Sequence, residues 1–199
     1  KKFESDPETM AIVSSIMIHK PKGVVQLAQK AEYESSIFIK QMLALVGGLH
    51  VTPGPFSIFR KRVFDELGPY KKAYNTEDGE YALRMQKHGY KISYCADAYV
   101  YTVAPSTIPK LFRQRVRWTY GFLRNLWDYR SMLFKRRYGN VSFFTLPAAL
   151  VSFAGVILVS TFLVGRLVDA AGTAIDRVSA VGWSFVFPHF DWFAINLSA

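Results

Sequence analysis

The sequence predicts an α/β layer structure that leads into an amphipathic interfacial helix and then a transmembrane helix. Three observations predict it. Strand-like and helix-like stretches alternate over residues 1–105, the pattern of a layered α/β fold. From Ile108 to Arg137 aromatic residues interleave with Arg and Lys at helical spacing, which suits a helix lying in a membrane interface. Val141–Gly165 then runs for 25 residues without a charge. At about 1.5 Å per residue that is enough to cross a hydrocarbon layer of roughly 30 Å.

The elements follow in order. Ala11–Ile18 is a buried or half-buried strand. After Pro21-Lys22-Gly23, Val24–Val46 has no Gly or Pro and suits a long helix, stopped by Gly47-Gly48. Val51–Pro55 is loop material, Phe56–Arg60 a short strand, and Lys61–Leu67 a short helix ended by Gly68-Pro69. Asn75-Thr76 can cap a helix over Glu77–His88, with Gly89 as its stop. Lys91–Tyr94 and Tyr99–Val103 read as two strands. The expected segments are therefore 1–105 as an α/β part, 106–140 as interface helices and 141–165 as a span. Residues 166–185 form an external loop, and 186–199 start a possible second span.

The charge of +10 and the pI of about 9.7 are not spread evenly. Ser106–Arg137 holds nine Lys/Arg and one acid, Asp128. A basic block just before an apolar run fits anionic headgroups on the cytoplasmic side of a membrane. Nucleic acid is the other usual partner of such a block, and the adjoining apolar run argues against it. Cys95 has no intrachain partner to oxidise with, which suits a reducing compartment. His19, His50, His88 and His189 lie far apart without zinc-ligand spacing. The charged opening residues do not read as a signal peptide, and the abrupt start and end read as an excerpt of a longer protein.

Two clusters carry chemistry. Glu77, Asp78 and Glu80 stand at a helix start, where carboxylates complement the helix dipole or supply a general base for a hydroxyl. Downstream, Gln114-Arg115-Val116-Arg117-Trp118 combines donors matched to phosphate oxygens with a flat ring on which a sugar can stack. An ordinary interfacial helix would use the same residues.

Together these clusters resemble the later motifs of the processive family-2 glycosyltransferases. Those are the membrane synthases of cellulose, chitin, hyaluronan and poly-N-acetylglucosamine. The resemblance rests on Val51–Arg60, Thr76-Glu77-Asp78 and Gln114–Trp118, and on the run from Tyr94–Thr102 through Pro105 into the Arg-rich helix. It covers roughly residues 1–165. It implies the C-terminal half of a GT-A-like (nucleotide-diphospho-sugar transferase) mixed sheet over 1–105. Asp78 would be the base on the acceptor hydroxyl, with Glu77 and Thr76 shaping its loop. Gln114, Arg115, Arg117 and Trp118 would close over the nucleotide diphosphate and acceptor, with Trp118 as the sugar platform. Gly54, Pro55 and Phe56 would border the acceptor, or simply form a tight turn. The implied partners are a UDP-sugar, a glycan acceptor and the lipid bilayer, with no nucleic acid. The implied place is the cell membrane, multi-pass, with the catalytic part facing the cytoplasm. The family's D-x-D metal motif does not occur here, so the Mg²⁺ or Mn²⁺ it holds is expected upstream. Two rivals stay open: a non-processive transferase acting on a lipid-linked acceptor, and a non-catalytic membrane protein whose basic helix binds lipid.

Overall fold

The computed structural model describes residues 2–181, which divide after Leu150 into two compact units. The expected start of a second span lies outside the described residues. The first unit opens with a short helix α1 (Lys2–Ser5) and the strand β1 (Thr9–Ile18). β1 is the middle of a three-stranded mixed sheet, order β2-β1-β3. β2 (Ser57–Phe59) pairs with it antiparallel, Ile12 opposite Ile58. β3 (Lys91–Thr102) pairs parallel, Val13 opposite Tyr94 and Ile18 opposite Thr102. A central strand covered on both faces requires a near-continuous apolar run, and Met10–Ile18 supplies one.

β3 is one element where the sequence suggested two strands. Its register against β1 jumps from Ser14–Cys95 to Ser15–Tyr99, so Ala96–Ala98 bulge out without ending the strand. The Ser15 hydroxyl donates to the Ala96 carbonyl at 3.0 Å and pairs with the Tyr94 hydroxyl at 2.7 Å, fastening the bulge to the neighbouring strand.

α2 (Gly23–Leu45) docks on the chain beyond β3 through two buried glutamines. Gln26 Nε2 donates to the Ala104 carbonyl at 2.7 Å, and Gln29 Nε2 donates to that of Pro105 at 2.8 Å. Gly47, at φ +65°, ends the helix in a conformation that favours glycine. α3 (Lys61–Leu67) leads by an irregular segment to α4 (Glu77–Lys87). α4 is wrapped on both sides. Tyr81, Ala82 and Met85 join the sheet core with Val13, Leu49 and Ile92, while Leu83 joins a second cluster with Leu126, Met132 and Leu146. Glu80–Gln86 are consequently all buried, the charged Glu80 and Arg84 included.

α5 (Ile108–Asp128) stops short of the expected Arg137. Tight turns follow at Arg130–Met132 and Arg136–Tyr138, with Phe134 and Gly139 both at positive φ. A π-helical turn, Val141–Thr145, then enters α6 (Leu146–Val181). The segment Val141–Ala180 is long and apolar enough to cross a membrane, judged by length and composition. The loop expected from residue 166 is helical as far as Val181; that stretch has no Pro and holds four Ala.

Candidate active site

The site is assembled by α4, α5 and the loop before β2. Asp78 stands in the first turn of α4, half-buried, with Glu77 exposed beside it. The Asp78 Oδ1 accepts from the Gly79 N–H at 2.8 Å. Burial pushes the Asp78 carboxyl above the usual carboxylate range. The neighbouring Glu77 charge adds to that, while the backbone N–H groups of Gly79 and Gly54 work against it. The Asp78 backbone is fixed as well: Thr52 donates to its carbonyl from Oγ1 at 2.9 Å and from N at 3.3 Å. This ties Pro53-Gly54-Pro55-Phe56 to the start of α4. Gly54, Pro55 and Phe56 are exposed. No protein atom lies within 4 Å of a Cβ placed on Gly54, and its φ is not positive, so neither the turn nor the local packing demands glycine there.

Thr76 is buried. Its hydroxyl donates to the Ala73 carbonyl at 3.0 Å. Ahead of it Tyr74 and Asn75 sit at φ +54° and +58°, two consecutive left-handed residues that need support from their surroundings. α5 provides it. Arg117 Nη1 donates to the Asn75 carbonyl at 2.8 Å. The Arg124 guanidinium lies 4.8 Å from the Tyr74 ring centroid, and Tyr74 donates to Asp128 Oδ2 at 3.1 Å. Asn125 Nδ2 donates to Thr76 O at 3.2 Å and to Thr76 Oγ1 at 3.1 Å. Gly121 permits this approach: a Cβ there would overlap the Thr76 side chain.

The Gln114–Trp118 motif thus lies on the helix that grips the carboxylate turn. Arg115 bonds to Glu32 of α2 at 2.6 Å and stacks over Trp118 at 4.8 Å, so one face of the indole is already covered. Gln114 Oε1 is buried without a hydrogen-bond partner among the described residues. Lys40 and His50, which the sequence did not single out, lie nearby. Burial lowers the Lys40 pKa and the Asp78 carboxylate raises it in part; burial lowers the His50 pKa, opposed by a backbone hydrogen bond at Gly48 and aided by the Lys40 charge. His50 packs edge-on against Phe122 of α5 at 5.7 Å.

Glu80 does not share the site's open face. Its Oε1 accepts from the Tyr129 hydroxyl at 2.6 Å and its Oε2 from Arg84 Nη2 at 2.7 Å. Among the described residues no group of three or more His, Cys, Asp or Glu side chains could hold a metal ion. Among the described residues the donor set does not fit a divalent cation. A cavity of about 360 Å³ lined by Lys87, His88, Gly89, Arg137 and Tyr138 opens at the opposite end of α4, away from Asp78.

The family model for glycosyl transferase family group 2 matches residues 9–194. The chain belongs to that family. Among its relatives, the poly-beta-1,6-N-acetyl-D-glucosamine synthase of Staphylococcus epidermidis is 29% identical over 131 residues, covering 63% of this chain and 32% of the relative. The enzyme of the same name from Staphylococcus aureus (strain COL) is 30% identical over 120 residues, covering 60% and 29%. The chain therefore spans about a third of the length of the curated relatives it matches. Within this glycosyltransferase family, the mixed sheet of β2-β1-β3 agrees with the GT-A-like α/β class. The residues that the sequence missed, Gly121 and Asn125, had one available signal: i,i+4 spacing on a face of α5 that carries none of its exposed apolar residues.

Proposed function

We propose that this chain is part of a membrane-bound inverting glycosyltransferase that adds sugars from a UDP-sugar to a growing glycan, processively. The observation that carries this reading is the seating of the Gln114–Trp118 helix on the Thr76–Asp78 turn, with Arg117 bonded to the Asn75 carbonyl. A phosphate-matching cation from a distant part of the chain is thereby joined to the segment that leads into the carboxylate turn.

In the reaction, Asp78 takes the proton of the acceptor hydroxyl. The acceptor oxygen bonds to the anomeric carbon as the bond from that carbon to the diphosphate breaks, and UDP departs. A carboxylate whose pKa is raised by burial is a stronger base. Arg117, with Arg115 beside it, offers positive charge to the departing diphosphate. The free face of Trp118 takes a sugar ring, with Gln114 on the same helix. Gly54, Pro55 and Phe56 border the acceptor. A bound Mg²⁺ or Mn²⁺, held by carboxylates outside this chain, would neutralise the diphosphate.

α6 would span the bilayer, with Lys135-Arg136-Arg137 holding the catalytic part on the cytoplasmic side. The exposed stripe Ile108, Phe112, Val116, Tyr120, Leu123 and Trp127 of α5 would lie in the interface. The long apolar helix that follows the basic block argues for a membrane over nucleic acid as its partner. The names of the relatives make UDP-N-acetylglucosamine the first donor to try.

The test is UDP release by the full-length protein in membranes with Mg²⁺ or Mn²⁺. The donors are UDP-N-acetylglucosamine, UDP-glucose and UDP-glucuronate, beside an Asp78→Asn control. Release with one donor, lost in the control, is the expected result. Release unaffected by Asp78→Asn would remove the assignment of the base. Release with none of the donors would remove the reading for these sugars.

A further inference from the structure

The contact between α4 and α5 is built from directional polar pairs in a place where apolar residues would suffice for adhesion. Thr76 caps the start of α4 with Glu80 one turn further on, and Asn125 lies in the last turn of α5 with Tyr129 capping its end. They meet as two rungs. Asn125 Nδ2 donates to Thr76 O and Oγ1 at 3.2 and 3.1 Å. The Tyr129 hydroxyl donates to Glu80 Oε1 at 2.6 Å. The second rung is anchored behind by Arg84, which donates to Glu80 Oε2 at 2.7 Å and to the carbonyls of Leu67 and Pro69 at 2.8 and 3.2 Å. Asn125, Glu80 and Arg84 are 2, 5 and 6% exposed. Burial of a charged pair contributes little net stability over an apolar substitute, and its better-attested use is to select one arrangement among several. Leu83, Leu126 and Met132 already supply non-directional adhesion between these elements. If α5 slid or rotated by one residue, both rungs would be left as unpaired buried polar groups.

We propose that Asn125 and Tyr129 are positioning residues: through Thr76 and Glu80 they set the register of the Gln114–Trp118 helix on the carboxylate-bearing helix. Register on this interface sets where Arg117, bonded to the Asn75 carbonyl, stands relative to the turn that carries Asp78. Asn125 and Tyr129 are both buried and turned towards Thr76 and Glu80. Glu80, a carboxylate two residues from the base, is a structural acceptor in this arrangement. The inference rests on the transferase reading for its catalytic consequence but not for its geometric one.

The experiment uses the full-length protein in membranes, as wild type and as Asn125→Ala, Tyr129→Phe and the double variant. Spin labels at the exposed Lys87 and Thr119 report the distance between the two helices. The expected result is a narrow distribution in wild type that shifts or broadens in the variants. A distribution unchanged in the double variant would overturn the proposal. Turnover is then measured per UDP-binding site, so that loss of folded protein is not counted as loss of rate. The expected fall in kcat is roughly 10- to 100-fold, with KM for the UDP-sugar little changed, as misplacement by about 1 Å produces. Full kcat per site would overturn it, as would a loss confined to the number of UDP-binding sites. Absence of UDP release by wild type would count against the transferase reading instead, leaving the register claim to be judged by the distances.

Discussion

The two faces of α5 differ in what they specify. One face presents Ile108, Phe112, Val116, Tyr120, Leu123 and Trp127, all exposed and three or four residues apart. It is an apolar stripe that any weakly polar medium can cover, and it tolerates sliding and rotation. The other face presents Gly121, Asn125 and Tyr129 to α4, each meeting one particular group. A stripe decides which medium the helix touches. A row of directional bonds decides where the helix stops. Catalysis that depends on a base and a cation from separate segments needs the second kind of contact, because area alone leaves their distance undefined.

Five substitutions break or sharpen this comparison. The largest effect is expected at Asp78. Asp78→Asn should lower transfer by about 10²- to 10⁴-fold, the range of general-base assistance, measured as UDP release per site. The same change should raise the thermal midpoint at neutral pH. The folded pKa of Asp78 lies above its unfolded value, so the native state holds its proton more tightly. Stability therefore falls as pH rises from the unfolded towards the folded pKa, and above that window the ionised group carries its full burial penalty. Asn removes this penalty, and its advantage should vanish below the window. In wild type, transfer should fall as pH drops through the raised pKa.

Next comes Gly121→Ala on the polar face. The added methyl group meets Thr76 directly and should destabilise the protein by about 1–3 kcal/mol, with a disproportionate loss of turnover per site. Thermal midpoint and site-normalised kcat together check it. On the opposite face, Phe112→Ser or Trp127→Ser should leave the fold intact. Each removes an apolar anchor worth about 1.5–3 kcal/mol when fully buried. A spin label at either position should be more accessible to oxygen than to a water-soluble relaxation agent, and the reverse would take the stripe out of the membrane. The smallest effect is expected at Arg115→Ala. It breaks a partly exposed ion pair with Glu32 whose worth is about 0.2–1 kcal/mol, so the thermal midpoint should barely move. A large drop in UDP affinity in this variant would mark Arg115 as a diphosphate ligand.

Much of the fold was legible locally. α2, α3, α4 and β1 fall within a few residues of the expected positions, because Gly47, Gly68, Gly89 and the apolar run of β1 are short-range signals. β3 was misread as two strands because Cys95–Ala98 has no strand pattern of its own. Only pairing with Ser15 carries the chain through. The end of α5 was misread because its periodicity continues past Asp128, while Phe134 turns back so that its N–H reaches the Ser142 carbonyl. The three carboxylates of the Glu77–Glu80 cluster looked alike in sequence, yet Asp78 is half-buried at the open turn and Glu80 is held by Arg84 and Tyr129.

By itself the sequence determined the α/β order, the carboxylate turn, the Gln114–Trp118 motif, the family and the long apolar helix. Each depends on residue types at short spacing, which local sterics and hydropathy translate directly. Tertiary structure alone decided that Arg117 supports Asn75, that Gly121 admits Thr76, and that Tyr129 neutralises the role of Glu80 as a free carboxylate. Those contacts join residues more than 40 positions apart in the chain. No periodicity links them; they exist only once the apolar faces of α4 and α5 have been buried against each other.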